Sequence, residues 1–220
     1  MNKLPKPAAA EPRTAAATAI LDIAEQLAQT RGYNGFSYAD VAALLGVTKA
    51  SLHYHFPSKA QLGSALIDRY QSNFGGALRA IDSGTKSPAE KLDRYIDLYD
   101  SVLRNDRMCL CGMLAAEYAT LPSSMQAALK SFFDANERWL TAVIQSGLEC
   151  GAFFLTEAAN ARARVLLGAL EGAMLIARSY GEPARFRTAA ALLVADLARS
   201  NRRSRPATST AAVRPRLSRR

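Results

Sequence analysis

The side chains with most to offer chemically crowd into one short stretch, from Thr48 through Lys49, Ser51, His53, Tyr54 and His55 to Lys59. It holds both histidines of the 220-residue chain. Two positions apart on a helix, His53 and His55 point from different faces, which unsuits them for sharing a metal ion. No Ser/His/Asp set, paired carboxylates or glycine-rich phosphate loop accompanies them. No catalytic residue, metal site or cofactor is therefore assigned, and the chain is read as a non-enzyme. What the stretch does offer is a row of hydrogen-bond donors. Thr48, Lys49 and Ser51 sit where a helix N-terminus would meet phosphates or base edges. Lys49 suits guanine O6 or N7, and Tyr54 suits a thymine methyl or a phosphate. His53 is a further donor on this face, and His55 and Lys59 are expected to hold the DNA backbone.

These residues need a scaffold, and the flanking sequence supplies one. Ser37 caps a helix over Tyr38–Leu45, with Val41, Ala42 and Leu45 on its apolar face. Gly46 is the residue type that leaves a helix most cheaply. Val47 is expected to plug the turn, and Thr48 to cap a second helix over Lys49–His55, whose Leu52 and the following Phe56 face inward. Pro57 stops that helix and Ser58 caps the next. Short helix, glycine turn and short polar-faced helix is a helix-turn-helix signature, whose second helix lies in the major groove of double-stranded DNA. Tyr38, opening the first of the two, is expected to touch a phosphate.

The run Gly46-Val47-Thr48-Lys49 followed by Ser51-Leu52-His53-Tyr54-His55-Phe56-Pro57-Ser58-Lys59 resembles the DNA-binding domain of TetR-family transcriptional regulators. The similarity extends upstream through Ile20 to Phe36. His53 stands where the family usually carries Tyr. A second segment, Arg107 to Glu117, resembles the Gly-Cys-Leu…Gly…Ala-Glu segment of one branch of that family, with Cys109 and Glu117 at corresponding positions. Here Met108 replaces the usual glycine, and Cys111 is additional. The resemblance implies a homodimer formed through the last two helices, and in some members of that branch a cysteine that senses electrophiles or oxidants.

The rest of the chain reads as helix. Ala16, Ile20, Ile23, Ala24 and Leu27 recur at helical spacing from Thr14 to Arg31, and Gly32 ends that helix. Tyr33, Gly35 and Phe36 make an aromatic corner. From Ser58 an i, i+4 stripe runs through Leu62, Leu66, Ile67, Tyr70, Phe74, Leu78 and Ile81, a lever or a plain connector between domains. Further helices are expected over Pro88–Arg104, Leu110–Tyr118, from Pro122 to Leu148, Ala159–Tyr180 and Pro183–Arg199. Period-2 alternation is absent, so the fold class is all-α. Residues 14–60 form an N-terminal three-helix helix-turn-helix domain, and 61–199 a C-terminal helical bundle for ligand binding and dimerisation. Residues 1–13 are expected as a disordered arm and 200–220 as an Arg-rich disordered tail.

Charge placement sharpens this division. Residues 1–62 carry +2, 63–199 are neutral, and 200–220 carry seven arginines and no acid within a net +9. The middle is not a nucleic-acid surface, and the tail adds non-specific phosphate attraction. Three cysteines, Cys109, Cys111 and Cys150, make no disulfide framework. No secretory signal or membrane-spanning run is present, and a reducing cytoplasm is the expected compartment.

The bundle must then hold whatever the protein senses, an effector of unknown identity. Candidates are Tyr95, Tyr99, Met113, Phe132, Phe133 and Trp139 as an apolar lining, with Glu117 and Glu171 as polar groups. The same aromatics serve equally as core. Cys109 is the alternative trigger, if a helix N-terminus and Arg104 or Arg107 favour its thiolate; otherwise it and Cys111 are small buried apolar groups. The expected function is a homodimeric regulator, a repressor released from a palindromic operator by a small molecule. Competing classes are an enzyme or ligand carrier, and a non-specific DNA organiser acting through the tail.

Overall fold

A computed structural model describes residues 14–198; the expected arm at 1–13 and tail at 200–220 lie outside the described residues. Within them the chain is helical and without strands. Thr14 caps α1 (Ala15–Arg31) by accepting from the Ala17 amide at 3.2 Å. The face of α1 carrying Ile20, Leu21, Ala24, Leu27 and Ala28 is buried. Ser37 and Asp40 form a reciprocal capping box at the start of α2 (Tyr38–Leu45), and Gly46 ends it in the left-handed conformation. Thr48 caps α3 (Lys49–His55) and Ser58 caps α4 (Lys59–Gly84), each accepting an amide three residues on.

One expectation in the turn is corrected. Val47 does not plug it: the side chain is 42% exposed. Its amide donates to Ala42 O at 3.1 Å, while Val41 and Leu52, both fully buried, already fill the space between α2 and α3.

Beyond α4 come α5 (Pro88–Arg104), α6 (Leu110–Ala116), α7 (Ser123–Glu149), α8 (Ala159–Tyr180) and α9 (Pro183–Ala198). The segment expected as a helix to Tyr118 stops at Ala116, and Tyr118–Thr120 form a 3-10 turn. Helix α4 packs on α1 as well as on α7 and α5, so it belongs to both halves of the molecule. Helices α7, α8, α9 and α5 pack as a bundle. Short α6 is wedged between α1, α4 and α7. The buried polar groups Tyr95, Tyr99 and Asn136 satisfy one another: Tyr95 Oη donates to Asn136 Oδ1 at 3.0 Å and lies 3.0 Å from Tyr99 Oη.

Where α6 ends, it grips the N-terminal half. Glu117 accepts from the Tyr33 amide at 2.6 Å and the Asn34 amide at 3.2 Å. The close approach depends on Gly32, whose φ of 84° and ψ of 167° lie in a region open essentially to glycine. A Cβ there would also stand 2.7 Å from Glu117 Oε1. Gly32→Ala should therefore lower stability by about 1–3 kcal/mol, measured as a shift in the urea midpoint at unchanged m-value.

Candidate nucleic-acid interface and its coupling to the core

Helix α3 offers an open polar face because its inward positions are taken by Leu52 and, just past its end, Phe56. Thr48, Lys49, His53 and Tyr54 are exposed, Tyr54 at 84%, while Ser51 and His55 are half-buried. The Tyr54 and His55 rings meet edge-on with centroids 5.1 Å apart. His53 is held: its ring leans on Tyr38 at 4.7 Å, and its Nδ1 lies 3.2 Å from Pro57 O. A shallow depression of about 340 Å³ between α2 and α3 is lined in part by Ser37, Tyr38, Lys49 and His53.

Two residues expected to contact DNA, which also line this depression, make bonds within the protein. Tyr38 is 9% exposed and its hydroxyl donates to Phe56 O at 2.7 Å. Burial, with Tyr33 nearby, pushes its phenol up to about 12. The proton expected for a phosphate instead ties α2 to the end of α3. Lys59 donates to Tyr33 O at 2.6 Å and Phe36 O at 2.5 Å, with its ammonium 4.5 Å from the centres of both aromatic rings. Burial lowers its pKa, opposed by Glu117 and Asp40. Its role is to hold the loop after α1.

That loop is thus gripped twice, by Lys59 at its carbonyls and by Glu117 at its amides. A third tie comes from α8. Arg178 donates to Gln29 O at 3.2 Å and Thr30 O at 2.5 Å, the last carbonyls of α1, and lies 3.7 Å from the Met113 sulfur. The sequence reading passed over Arg178. Its signal was a single cation in the apolar run of α8, placed to cap a helix end.

The candidate effector residues consequently divide. Glu117 and Met113 lie at this junction. Tyr95, Tyr99 and Trp139 do come together, with Phe74 and Phe132, in one aromatic cluster: Tyr95 stacks on Trp139 at 5.3 Å, and Phe133 meets Phe132 at 5.5 Å. Trp139 Nε1 donates to Asp82 Oδ2 at 2.9 Å. Cys109, Cys111 and Glu171 form a second group against Tyr70, Tyr95 and Tyr99. Burial, and then the charge of Glu171, raise the thiol pKa values of Cys109 and Cys111 well above the usual range. This is opposite to the shift that a resting thiolate needs, and Arg104 is occupied by Asp100 at 2.7 Å.

Glu171 is the most unusual of these groups. Both its carboxylate oxygens are withdrawn from solvent, and the group beside them is the weakly donating Cys109 thiol, not a cation. Burial pushes its pKa up from 4.5 to about 7, partly offset by the Cys109 thiol. Among the described residues, no group of three His, Cys, Asp or Glu side chains could hold a metal ion, and no helix is long and apolar enough to cross a membrane.

A helix-turn-helix with an open donor face, tied to an all-helical core, defines a DNA-binding regulator, and known proteins agree. Residues 20–66 match the family described as bacterial regulatory proteins, tetR family. The crystal structure of a TetR-family transcriptional regulator from Agrobacterium tumefaciens superposes with a TM-score of 0.81 at 32% identity, over 84% of this chain and 98% of that one. The transcriptional regulator AcuR of Cereibacter sphaeroides is 26% identical over 67% of this chain and 69% of its own length. The transcriptional repressor DhaR of Mycobacterium sp. strain GP1 is 24% identical over 74% of this chain and 82% of its own. The chain belongs to the TetR family of DNA-binding transcriptional regulators.

Two stability measurements check these assignments. Lys59→Ala strands two carbonyls and should cost about 1–3 kcal/mol, whereas Lys49→Ala, on the open face, should stay within about 0.5 kcal/mol of wild type. For Glu171 the folded-state pKa lies above the unfolded value, so ionisation opposes folding. Native stability is full below about 4.5 and is lost as pH rises towards about 7. Glu171→Gln should stabilise by up to about 3 kcal/mol at pH values above about 7, and by less than about 1 kcal/mol near pH 5, in urea titrations at both pH values.

Proposed function

We propose that two copies of this chain, joined through α8 and α9, bind a palindromic operator and are released from it by a small molecule, so that the protein acts as a repressor. The double grip on the loop after α1 carries this reading. A rearrangement of α6 or α8 is felt directly at the domain that presents α3, while α4 leaves that domain as a rigid lever. One α3 reads only a half-site, and two-fold symmetry matches a palindrome. Supporting the dimer, α8 and α9 expose Val165, Leu175, Ile176, Tyr180 and Leu192, each at least 45% accessible. Between them runs an open apolar groove of about 760 Å³, lined by Ala169, Gly172, Ala173 and Ala189 among others, where the small side chains allow close approach by a second helix pair. The repressor role agrees with that of the transcriptional repressor DhaR.

Lys49 and Tyr54 are the side chains proposed to read bases, with Thr48, Ser51, His53 and His55 positioning the helix on phosphates. An effector shifts the population of dimers toward a spacing of the two α3 helices that no longer fits the operator. Because burial holds the Cys109 thiol protonated, non-covalent binding is the better-supported trigger, with oxidation or alkylation of Cys109 as the second reading.

The test is binding of the protein to its own upstream DNA and to unrelated DNA at about 150 mM salt. Tight binding to the upstream fragment alone is expected. The Lys49→Ala/Tyr54→Ala variant should bind it at least about tenfold more weakly, since each base contact carries about 1–3 kcal/mol. Equal binding to every fragment, unchanged in the variant, would instead assign DNA binding to the arginines of residues 200–220 and contradict the proposal.

A further inference from the structure

Glu171 presents an unanswered charge. Its oxygens are buried with only the Cys109 thiol beside them, and it takes part in none of the ion pairs among the described residues. The groups that share its surroundings are the thiols of Cys109 and Cys111 and the phenols of Tyr70, Tyr95 and Tyr99. None of these is a cation. On the α6 side the space for the carboxylate exists only because residue 112 is glycine, as a Cβ there would collide with Glu171 Oε2. An isolated buried carboxylate is costly, and a stable protein normally neutralises it with a cation of its own.

The site also has an approach from solvent. A groove of about 360 Å³ opens between α1, α4 and α5, bordered by Glu25, Gln29 and Arg107, and Tyr70 lies on its wall. Tyr70 is only 9% exposed and links the two: it lines the groove, bonds the Cys109 side chain and feels the charge of Glu171. Gln29 Oε1, at the groove, is a buried acceptor without a partner.

We propose that Glu171 is the recognition carboxylate for a small organic cation, an ammonium group on an apolar body, which enters past Tyr70 and sits between Glu171 and the rings of Tyr70, Tyr95 and Tyr99. The cation supplies the missing counter-charge, and the electron-rich ring faces attract it further. An anion of the same size would place like charge beside Glu171 and is excluded. The inference rests on reading this chain as ligand-responsive, and it names the class of ligand. It also supplies a route for the response. The carboxylate abuts α6 at Gly112, and five residues later α6 delivers Glu117 to the amides of Tyr33 and Asn34.

The test compares three probes of equal size, benzylamine, benzyl alcohol and benzoate, by calorimetric titration of the full-length protein and its Glu171→Gln variant at about pH 8, where the carboxyl is ionised. Benzylamine should bind the wild type at least about tenfold more tightly than benzyl alcohol, benzoate should not bind, and Glu171→Gln should abolish the preference for the amine. Equal affinity for amine and alcohol, an amine preference that survives in Glu171→Gln, or no binding of any probe would each overturn the assignment. Operator binding measured with the same probes separates the two claims. Amine binding that leaves the operator complex intact would contradict ligand release while upholding the cation site. Operator binding without any amine affinity would overturn the cation site alone.

Discussion

The loop between α1 and α2 is held from two sides by opposite charges, and the arrangement of the two halves depends on it. Glu117 of the segment after α6 accepts the amides of Tyr33 and Asn34, and Lys59 of α4 donates to the carbonyls of Tyr33 and Phe36. The backbone of that loop is thus satisfied by side chains from α4, which belongs to both halves, and from the segment after α6. Charged groups make these bonds stronger than neutral ones. They are also directional, which apolar packing is not. Arg178 adds a tie from α8, the helix proposed to lie at the two-fold axis, to the C-terminal carbonyls of α1. The bonds from Glu117, Lys59 and Arg178 thus converge on backbone within a few residues of Gly32.

This placement explains why α6 is short and lined with small side chains. Gly112 admits the Glu171 carboxylate, and Cys109 and Cys111 are buried on either side of Leu110. A helix of two turns wedged between α1, α4 and α7 can shift without unpacking the long helices around it. The buried carboxylate beside it keeps the resting site electrostatically incomplete. On the proposal made for Glu171, stability is given up there in favour of recognition, as happens at functional sites generally.

How much of this was legible beforehand follows from the range of each interaction. Ser37, Thr48 and Ser58 act on amides three residues away, and Gly46 acts on its own dihedral angles, so the helix-turn-helix could be read with its bounds. The long helices followed from their apolar period. The internal bonds of Lys59 were not legible, because only the fold brings the carbonyls of Tyr33 and Phe36 to it. Glu117 is conspicuous in sequence for its apolar setting, but its bonds to the loop are not legible there, since its partners lie more than 80 residues earlier. Glu171 stood out by the same signal, but that it lacks any counter-charge is a property of packing. Val47 was misjudged because Val41 and Leu52 leave the turn no interior to fill.

The central claim is that the junction around Gly32 fixes the spacing of the two α3 helices in a dimer. Spin labels at residue 50, on exposed backbone of α3, would report that spacing by dipolar electron resonance, with the exposed Cys150 replaced by serine. Wild-type protein should give one narrow distance distribution near a DNA helical turn, about 34–36 Å. The Glu117→Gln/Arg178→Gln variant should remain folded and dimeric but give a broad distribution. The same narrow distribution in both proteins would contradict the account, because the reading helices would then be held in place by something other than this junction.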